Sequence, residues 1–243
     1  MREMRVSISN KSGLIPKLIG YLYPSECPSC GTVTDNITYA PLCISCWSGI
    51  KKYSGPSCKR CSSPFSSEYS DICAECLNMP PAFSRAISFG LYADMLATAI
   101  NIYKFHGIKR LHKPLGRFLL EFDLAGADAI ISVPLSIRSL RERGFNQSLL
   151  LAKFVSDNLK IPLMLDGLIK NRETPPQIGL SAKERISNLK GAFKAVRDFS
   201  GMRLLLIDDV MTTGATVKEC SKQLLKAGAE DVVVLTLARA SSS

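Results

Sequence analysis

The stretch LLLIDDVMTTGAT, residues 204–216, decides how this chain is read. Leu204–Ile207 is an unbroken apolar run that suits a buried strand, and Asp208 and Asp209 follow it directly. Side chains alternate along a strand, so the two carboxylates face opposite sides and at least one reaches the region beyond the strand end. There it can accept hydrogen bonds from a diol such as ribose. Met211, Thr212, Thr213, Gly214, Ala215 and Thr216 then turn into a helix, whose free amides and positive dipole end attract a phosphate. The threonines add hydroxyls, and Gly214 allows close approach of the backbone. A simple helix cap needs one such residue rather than the whole cluster.

Working outward, TGATVKECSKQLLKAGA (213–229) reads as a helix and DVVVLTLA (231–238) as a final strand, with RLLLIDD (203–209) before them. Upstream, helices are expected over 94–105, 112–122 and 146–160, and strands over 128–134 and 163–169. Strand and helix in alternation imply an α/β fold with a mostly parallel sheet. Ligands of such sheets bind beyond the carboxyl ends of the strands. Asp208–Asp209 and the Val133–Pro134–Leu135 turn both fall at such ends.

Composition changes near residue 80, where NMPPAF (78–83) interrupts regular structure. The expected division is a cysteine-rich domain over 1–80 and an α/β domain over 81–243. Eight of the nine cysteines lie between Cys27 and Cys76 as CPSC, CISC, CKRC and CAEC, separated by twelve, eleven and eleven residues. Each Cys-x-x-Cys can present two thiolates to one tetrahedral ion. The near-regular repeat favours two structural zinc sites, Cys27, Cys30, Cys43 and Cys46 in one, and Cys58, Cys61, Cys73 and Cys76 in the other. Interleaved pairing, iron–sulfur ligation and disulfides remain alternatives on spacing alone. Four thiolates leave no position for an activated water, and with two histidines in the chain this argues against a zinc hydrolase.

The chain has 243 residues, 46% hydrophobic and 21% charged, as a globular protein does. Its formal net charge of +10 favours polyanions or phosphorylated ligands. The apolar segment LIPKLIGYLY (14–23) is interrupted by Pro16 and Lys17 and is shorter than the ~20 residues of a membrane span, so a cytoplasmic protein is expected.

The strand, the acidic pair and the TTGAT loop together resemble the phosphoribosyl pyrophosphate motif of type I phosphoribosyltransferases. YKFHGIKRLHKPLG (103–116), RERGFNQSLLLA (141–152) and RETPPQIGLSAKERISNLKGAF (172–193) are similar to successive signature blocks of the ComF competence proteins. That resemblance spans Cys27 to about Arg239. It implies a sheet of phosphoribosyltransferase type behind an N-terminal double zinc ribbon. Asp208 and Asp209 would face the ribose, 212–216 would hold the 5′-phosphate, and VPLSIRS (133–139), with Leu135 and Ser136, would be the pyrophosphate loop. Mg²⁺ would accompany the phosphoribosyl pyrophosphate.

The same resemblance implies a role in natural transformation, handling incoming single-stranded DNA beside a helicase-like partner. Lys104, Lys109, Arg110 and Lys113 form one basic segment, and Arg138, Arg141 and Arg143 another, with Tyr103, Phe105 and Phe145 nearby as possible stacking rings. Core packing is the expected fate of Tyr103 and Phe105. The rival reading is an active phosphoribosyltransferase in which Arg172, Thr174, Gln177 and Arg185 form a closing lid. No residue is assigned a covalent catalytic role, and no segment after Ala238 reads a base.

Overall fold

The computed structural model describes residues 26–34, 36–65, 70–174 and 182–241. The chain forms two compact units, Met1–Gly49 and Ile50–Ser243. The change in composition near residue 80 therefore does not coincide with the break in packing. The second cysteine cluster packs with the α/β body.

The first unit is built around a knuckle in which Cys27 N–H donates to Thr32 O at 2.8 Å and Gly31 N–H to Cys27 O at 2.8 Å. A short helix, α1 (Ile44–Ser48), is capped by Cys43, and Trp47 stacks on Tyr39 with ring centroids 4.9 Å apart. The second cluster repeats this construction. Cys58 N–H donates to Ser63 O and Ser62 N–H to Cys58 O, each at 2.8 Å, and Cys73 caps α2 (Ala74–Asn78).

The remaining elements, in chain order, are β1 (Arg85–Leu91), α3 (Asp94–Phe105), α4 (His112–Leu119), β2 (Ala129–Ser132), α5 (Ile137–Arg143), α6 (Gln147–Leu159), β3 (Leu168–Lys170), α7 (Ala182–Leu189), β4 (Phe193–Ala195), β5 (Arg203–Met211), α8 (Ala215–Lys226) and β6 (Asp231–Arg239). Four strands form one parallel sheet in the order β1-β6-β5-β2, and β3 and β4 form an antiparallel pair. Leu204 to Ile207 and Val232, Val234, Leu235 and Leu237 are fully buried or nearly so. A continuous apolar run of this kind suits a strand covered on both faces. Leu204 and Leu206 share a core with Val217, Cys220 and Leu224 of α8. Helices α4 and α6 pack closely enough that a Cβ on Gly116 would meet Phe154 at 2.4 Å.

The sequence pattern missed β1, whose seven residues include Arg85, Ser88 and Gly90 and lack regular alternation. Of the strand expected over 163–169, Leu163 makes a single parallel bridge to Ile130, and β3 begins only at Leu168. β5 also continues past the aspartates to Met211, because β6 pairs with it as far as Met211↔Arg239. The carboxylates therefore lie within the strand. Among the described residues no helix is long and apolar enough to cross a membrane; the 14–23 segment lies outside them.

Candidate functional site

The cradle forms where β5 runs into α8. A small concavity is lined by Asp208, Val210, Met211, Thr212, Gly214, Ala215, Thr216 and Val217. Gly214 has φ +74°, a conformation that calls for glycine, whereas a Cβ there would press only on the flexible end of Met211 at 2.7 Å. Thr213 uses its hydroxyl oxygen internally, accepting from Ala215 N–H at 3.3 Å. Thr212 is exposed and Thr216 half-buried at the rim.

Both aspartates are buried, Asp208 at 8% and Asp209 at 2% exposure. Asp208 Oδ1 accepts from the Ser148 hydroxyl at 2.8 Å and from Asp209 N–H at 2.9 Å. Burial, and then the neighbouring Asp209 charge, push its carboxyl up to about 7 despite Lys104 and Ser148. Asp209 Oδ1 accepts from Val210 N–H at 2.8 Å, and Asp209 Oδ2 lies 2.8 Å from Lys104 Nζ. The Lys104 contact is Coulombic and off the geometry of a directed hydrogen bond. Lys104, expected on a DNA-binding face, is thus the counter-ion of the acidic pair.

The segment GFNQS (144–148) ties three parts of the site together. Gly144 ends α5 in the left-handed region, φ +72°. Phe145 packs on Tyr103 at a centroid distance of 5.6 Å. Asn146 caps α6 through Leu149 N–H and donates from Nδ2 to Val133 O at 3.1 Å. Ser148 supports Asp208. Helix α6 therefore fixes the turn after β2 and a carboxylate of β5 at once, roles the sequence reading did not assign to Asn146 and Ser148. In that turn, Ser136 is 5% exposed and caps α5, and Leu135 is half-buried.

The two basic segments, some thirty residues apart in sequence, meet here. Lys109 Nζ donates to Gly144 O at 3.3 Å and lies 5.5 Å from the centroid of the Phe145 ring. Arg143 lies 5.3 Å from that of Phe105. Tyr103 is fully buried with its hydroxyl on Gln147 O at 2.7 Å, as expected of a core residue. Phe105 corrects the expectation: it is 60% exposed, because it is the last residue of α3 and the chain turns away after it. Arg110, Lys113 and Arg141 are exposed, and Arg138 is paired with Glu142 at 2.8 Å. Arg172 is not brought to the cradle; its guanidinium donates to Asn188 O at 2.8 Å and Lys190 O at 3.0 Å. Gln177 and the side chain of Arg185 lie outside the described residues.

The eight clustered cysteines form two tetrads, Cys27, Cys30, Cys43, Cys46 and Cys58, Cys61, Cys73, Cys76, with all sulfurs in each within 4.8 Å of one another. Adjacent pairing holds and the interleaved alternative does not. All nine cysteines are free thiols. Tetrahedral zinc–thiolate bonds of about 2.3 Å imply sulfur separations of about 3.8 Å. Cys30–Cys43 and Cys61–Cys73, at 3.5 and 3.6 Å, are close to that edge. Amide N–H groups of Cys46, Cys73 and Cys76 point at Cys43, Cys58 and Cys73 sulfurs, as suits thiolates. The donor sets fit structural zinc.

The second tetrad adjoins the cradle. Arg239, 2% exposed, donates through Nε to Cys61 O at 3.2 Å and through Nη1 to Met211 O at 3.0 Å. Lys218 of α8 pairs with Glu75 of α2. Cys58, Cys61 and Cys76 share a core with Met211, Ala215 and Val217.

Fold and site together define a phosphoribosyltransferase-type α/β protein carrying a double zinc ribbon. The family models agree: a double zinc ribbon domain matches residues 18–77 and a phosphoribosyl transferase domain residues 146–243. The chain belongs to the ComF family. It is 36% identical over 210 residues to "Competence protein F" of Haemophilus influenzae, covering 82% of this chain and 90% of that protein. It is 35% identical over 190 residues to "DNA utilization protein YhgH" of Escherichia coli K12, covering 75% and 83%. Against "Competence protein ComFC" of Bacillus subtilis the figures are 30% over 210 residues, 82% and 84%.

Proposed function

We propose that this protein binds phosphoribosyl pyrophosphate with Mg²⁺ at the end of β5 and single-stranded DNA on the adjoining basic face. It would act in the cytoplasm during natural transformation, beside a helicase-like partner. The observation that carries the reading is the convergence of a diol-type acid pair, a helix-entrance cradle and a basic aromatic face around one segment, 143–148. Asp208 and Asp209 would accept the ribose hydroxyls, and residues 211–216 would hold the 5′-phosphate. The turn at Leu135 and Ser136 would meet the pyrophosphate. Mg²⁺, a hard cation suited to these oxygens, would supply charge neutralisation when bound with the ligand. Exposed Phe105, with Arg143 over its ring, suits stacking of an unpaired base, with Lys109, Arg110, Lys113, Arg138 and Arg141 along the backbone path.

Calorimetry with phosphoribosyl pyrophosphate and Mg²⁺ tests the pocket. Asp208→Ala with Asp209→Ala should abolish the binding heat, and retained affinity refutes the assignment. Affinity for single-stranded oligonucleotides should fall with salt and with Lys109→Ala and Arg143→Ala. The intact acid pair also favours a second reading, an active transferase whose acceptor is unidentified. Pyrophosphate release with candidate acceptors decides that question.

A further inference from the structure

The turn after β2 already holds an anion supplied by the chain itself. Arg138 N–H donates to Glu173 Oε1 at 3.2 Å, beside Ser136, whose own hydroxyl donates to Ser139 Oγ at 3.2 Å. The Arg138 amide belongs to the 133–139 turn that the phosphoribosyl pyrophosphate reading makes the pyrophosphate loop. Glu173 follows β3, and its neighbour Arg172 is pinned to Asn188 O and Lys190 O, which fixes the stem that presents it. Lys170 and Arg138 add favourable charge. The bond from Arg138 N–H, helped by the charges of Lys170 and Arg138 and opposed by burial, holds the Glu173 carboxyl below its usual range.

We propose that Glu173 is an intramolecular competitor for the pyrophosphate group, seated on the Arg138 amide of the loop until the ligand displaces it. The proposal rests on the phosphoribosyl pyrophosphate reading of the site. Glu173 is solvent-exposed, so its seat is a charge-assisted contact of modest strength that a pyrophosphate, with more charge and more acceptor oxygens, can replace. Seating lowers the apparent affinity by the fraction of molecules whose loop is free. The chain thus carries its own threshold against weak anions: a ligand must outcompete Glu173 before it enters.

Calorimetric titration of phosphoribosyl pyrophosphate with Mg²⁺ into the full chain and into Glu173→Gln and Glu173→Asp tests this. Both variants should bind roughly three- to tenfold tighter than the natural chain. Glutamine can still touch Arg138 N–H, but as a neutral and weaker acceptor. Aspartate keeps the charge but is one methylene too short to hold the Arg138 amide from the same stem. A gain in Glu173→Gln alone, with Glu173→Asp at the natural level, overturns the proposal, since general charge repulsion would then explain it. Equal affinity in all three also overturns it. Absence of binding in all three removes the functional reading, and the proposal with it, and is distinguishable from equal binding. The Arg138 amide resonance supplies an independent readout. It should move on Glu173→Asp and move again when inorganic pyrophosphate is added to the natural chain; a resonance indifferent to both counts against the contact.

Discussion

The two cysteine tetrads have the same construction, a knuckle followed by a thiol-capped single-turn helix, yet they stand in different surroundings. The first lies in the compact unit Met1–Gly49, with Cys30 exposed and Trp47 stacked on Tyr39. The second lies inside the unit that carries the cradle, and three of its four cysteines share a core with Met211, Ala215 and Val217. One repeat lies in a small unit of its own, whereas the other is a wall of a larger core. Duplication of a sequence motif therefore does not imply duplication of its role.

The largest expected difference is metal loss. Zinc bound to a four-thiolate site contributes folding free energy on the order of 10 kcal/mol. Cys58→Ser with Cys61→Ser should remove one zinc equivalent, melt the body and abolish phosphoribosyl pyrophosphate binding. Cys27→Ser with Cys30→Ser should also remove one equivalent but leave the body's melting transition and ligand heat in place. Metal analysis, scanning calorimetry and titration calorimetry on both double variants make the comparison. Equal effects on the body would erase the distinction.

Arg239 is the next test. Its buried guanidinium has no carboxylate partner among the bonds of the described residues and instead holds the carbonyls of Cys61, Met211 and Ala240. Removing it takes the guanidinium from the Cys61 carbonyl, leaves Met211 O only the Ala240 N–H, and vacates buried volume, so Arg239→Ala should cost about 3 kcal/mol. At roughly 2–4 °C per kcal/mol for a body of this size, the melting temperature should fall by about 9 °C. The first tetrad's zinc should be retained. A change under 1 °C would mean that the ribbon and the cradle are held together by the apolar core alone.

Legibility in the sequence followed the same divide. The tetrads, the buried strands β5 and β6 and the cradle could be read because each is local: a spacing, an apolar run, a cluster at one turn. What could not be read depends on distant partners. Nothing near Lys104 announces that its ammonium will meet Asp209, and nothing in LARASSS announces that Arg239 will join residue 61 to residue 211. Ser148 and Asn146 belong to a segment singled out by resemblance, but their work appears only once α6 lies across β2 and β5. Phe105 was misjudged because helical spacing placed it among apolar residues, while the helix ends just there and the chain turns away at Gly107, φ +67°.

Protons extend the comparison to the carboxylates. Asp208 ionises near 3.8 when unfolded but near 7 in the fold, because burial and Asp209 oppose its charge. A raised carboxyl pKa means that the folded state holds the proton more tightly. Its contribution is therefore fully present below about 4 and is lost as pH rises towards 7. Asp208→Asn keeps an oxygen to accept from Ser148 and Asp209 N–H while removing the charge. It should stabilise the body by up to about 4 kcal/mol at pH 8 and by nearly nothing at pH 4. Thermal melts across that range check it, and a gain independent of pH would refute the cause assigned. Ligand binding should fall in the same variant, since a diol acceptor and a cation partner are both weakened.

The smallest effect concerns the ion pair between Lys218 and Glu75, which also spans the second ribbon and α8. Its side chains are 20% and 40% exposed, so water screens the attraction and each must be held in one rotamer. Lys218→Ala and Glu75→Ala should each cost less than about 1 kcal/mol, with a coupling energy of a few tenths in the double variant. Arg239→Ala should exceed either several-fold. The contrast separates two ways of fastening the ribbon to the cradle: an exposed pair adds little, whereas a buried cation bonded to carbonyls on both sides holds because its loss takes the guanidinium from them and vacates buried volume. If the Lys218 pair instead matched Arg239, docking would be set at the surface, and high salt alone should then loosen the cradle as much as Arg239→Ala does.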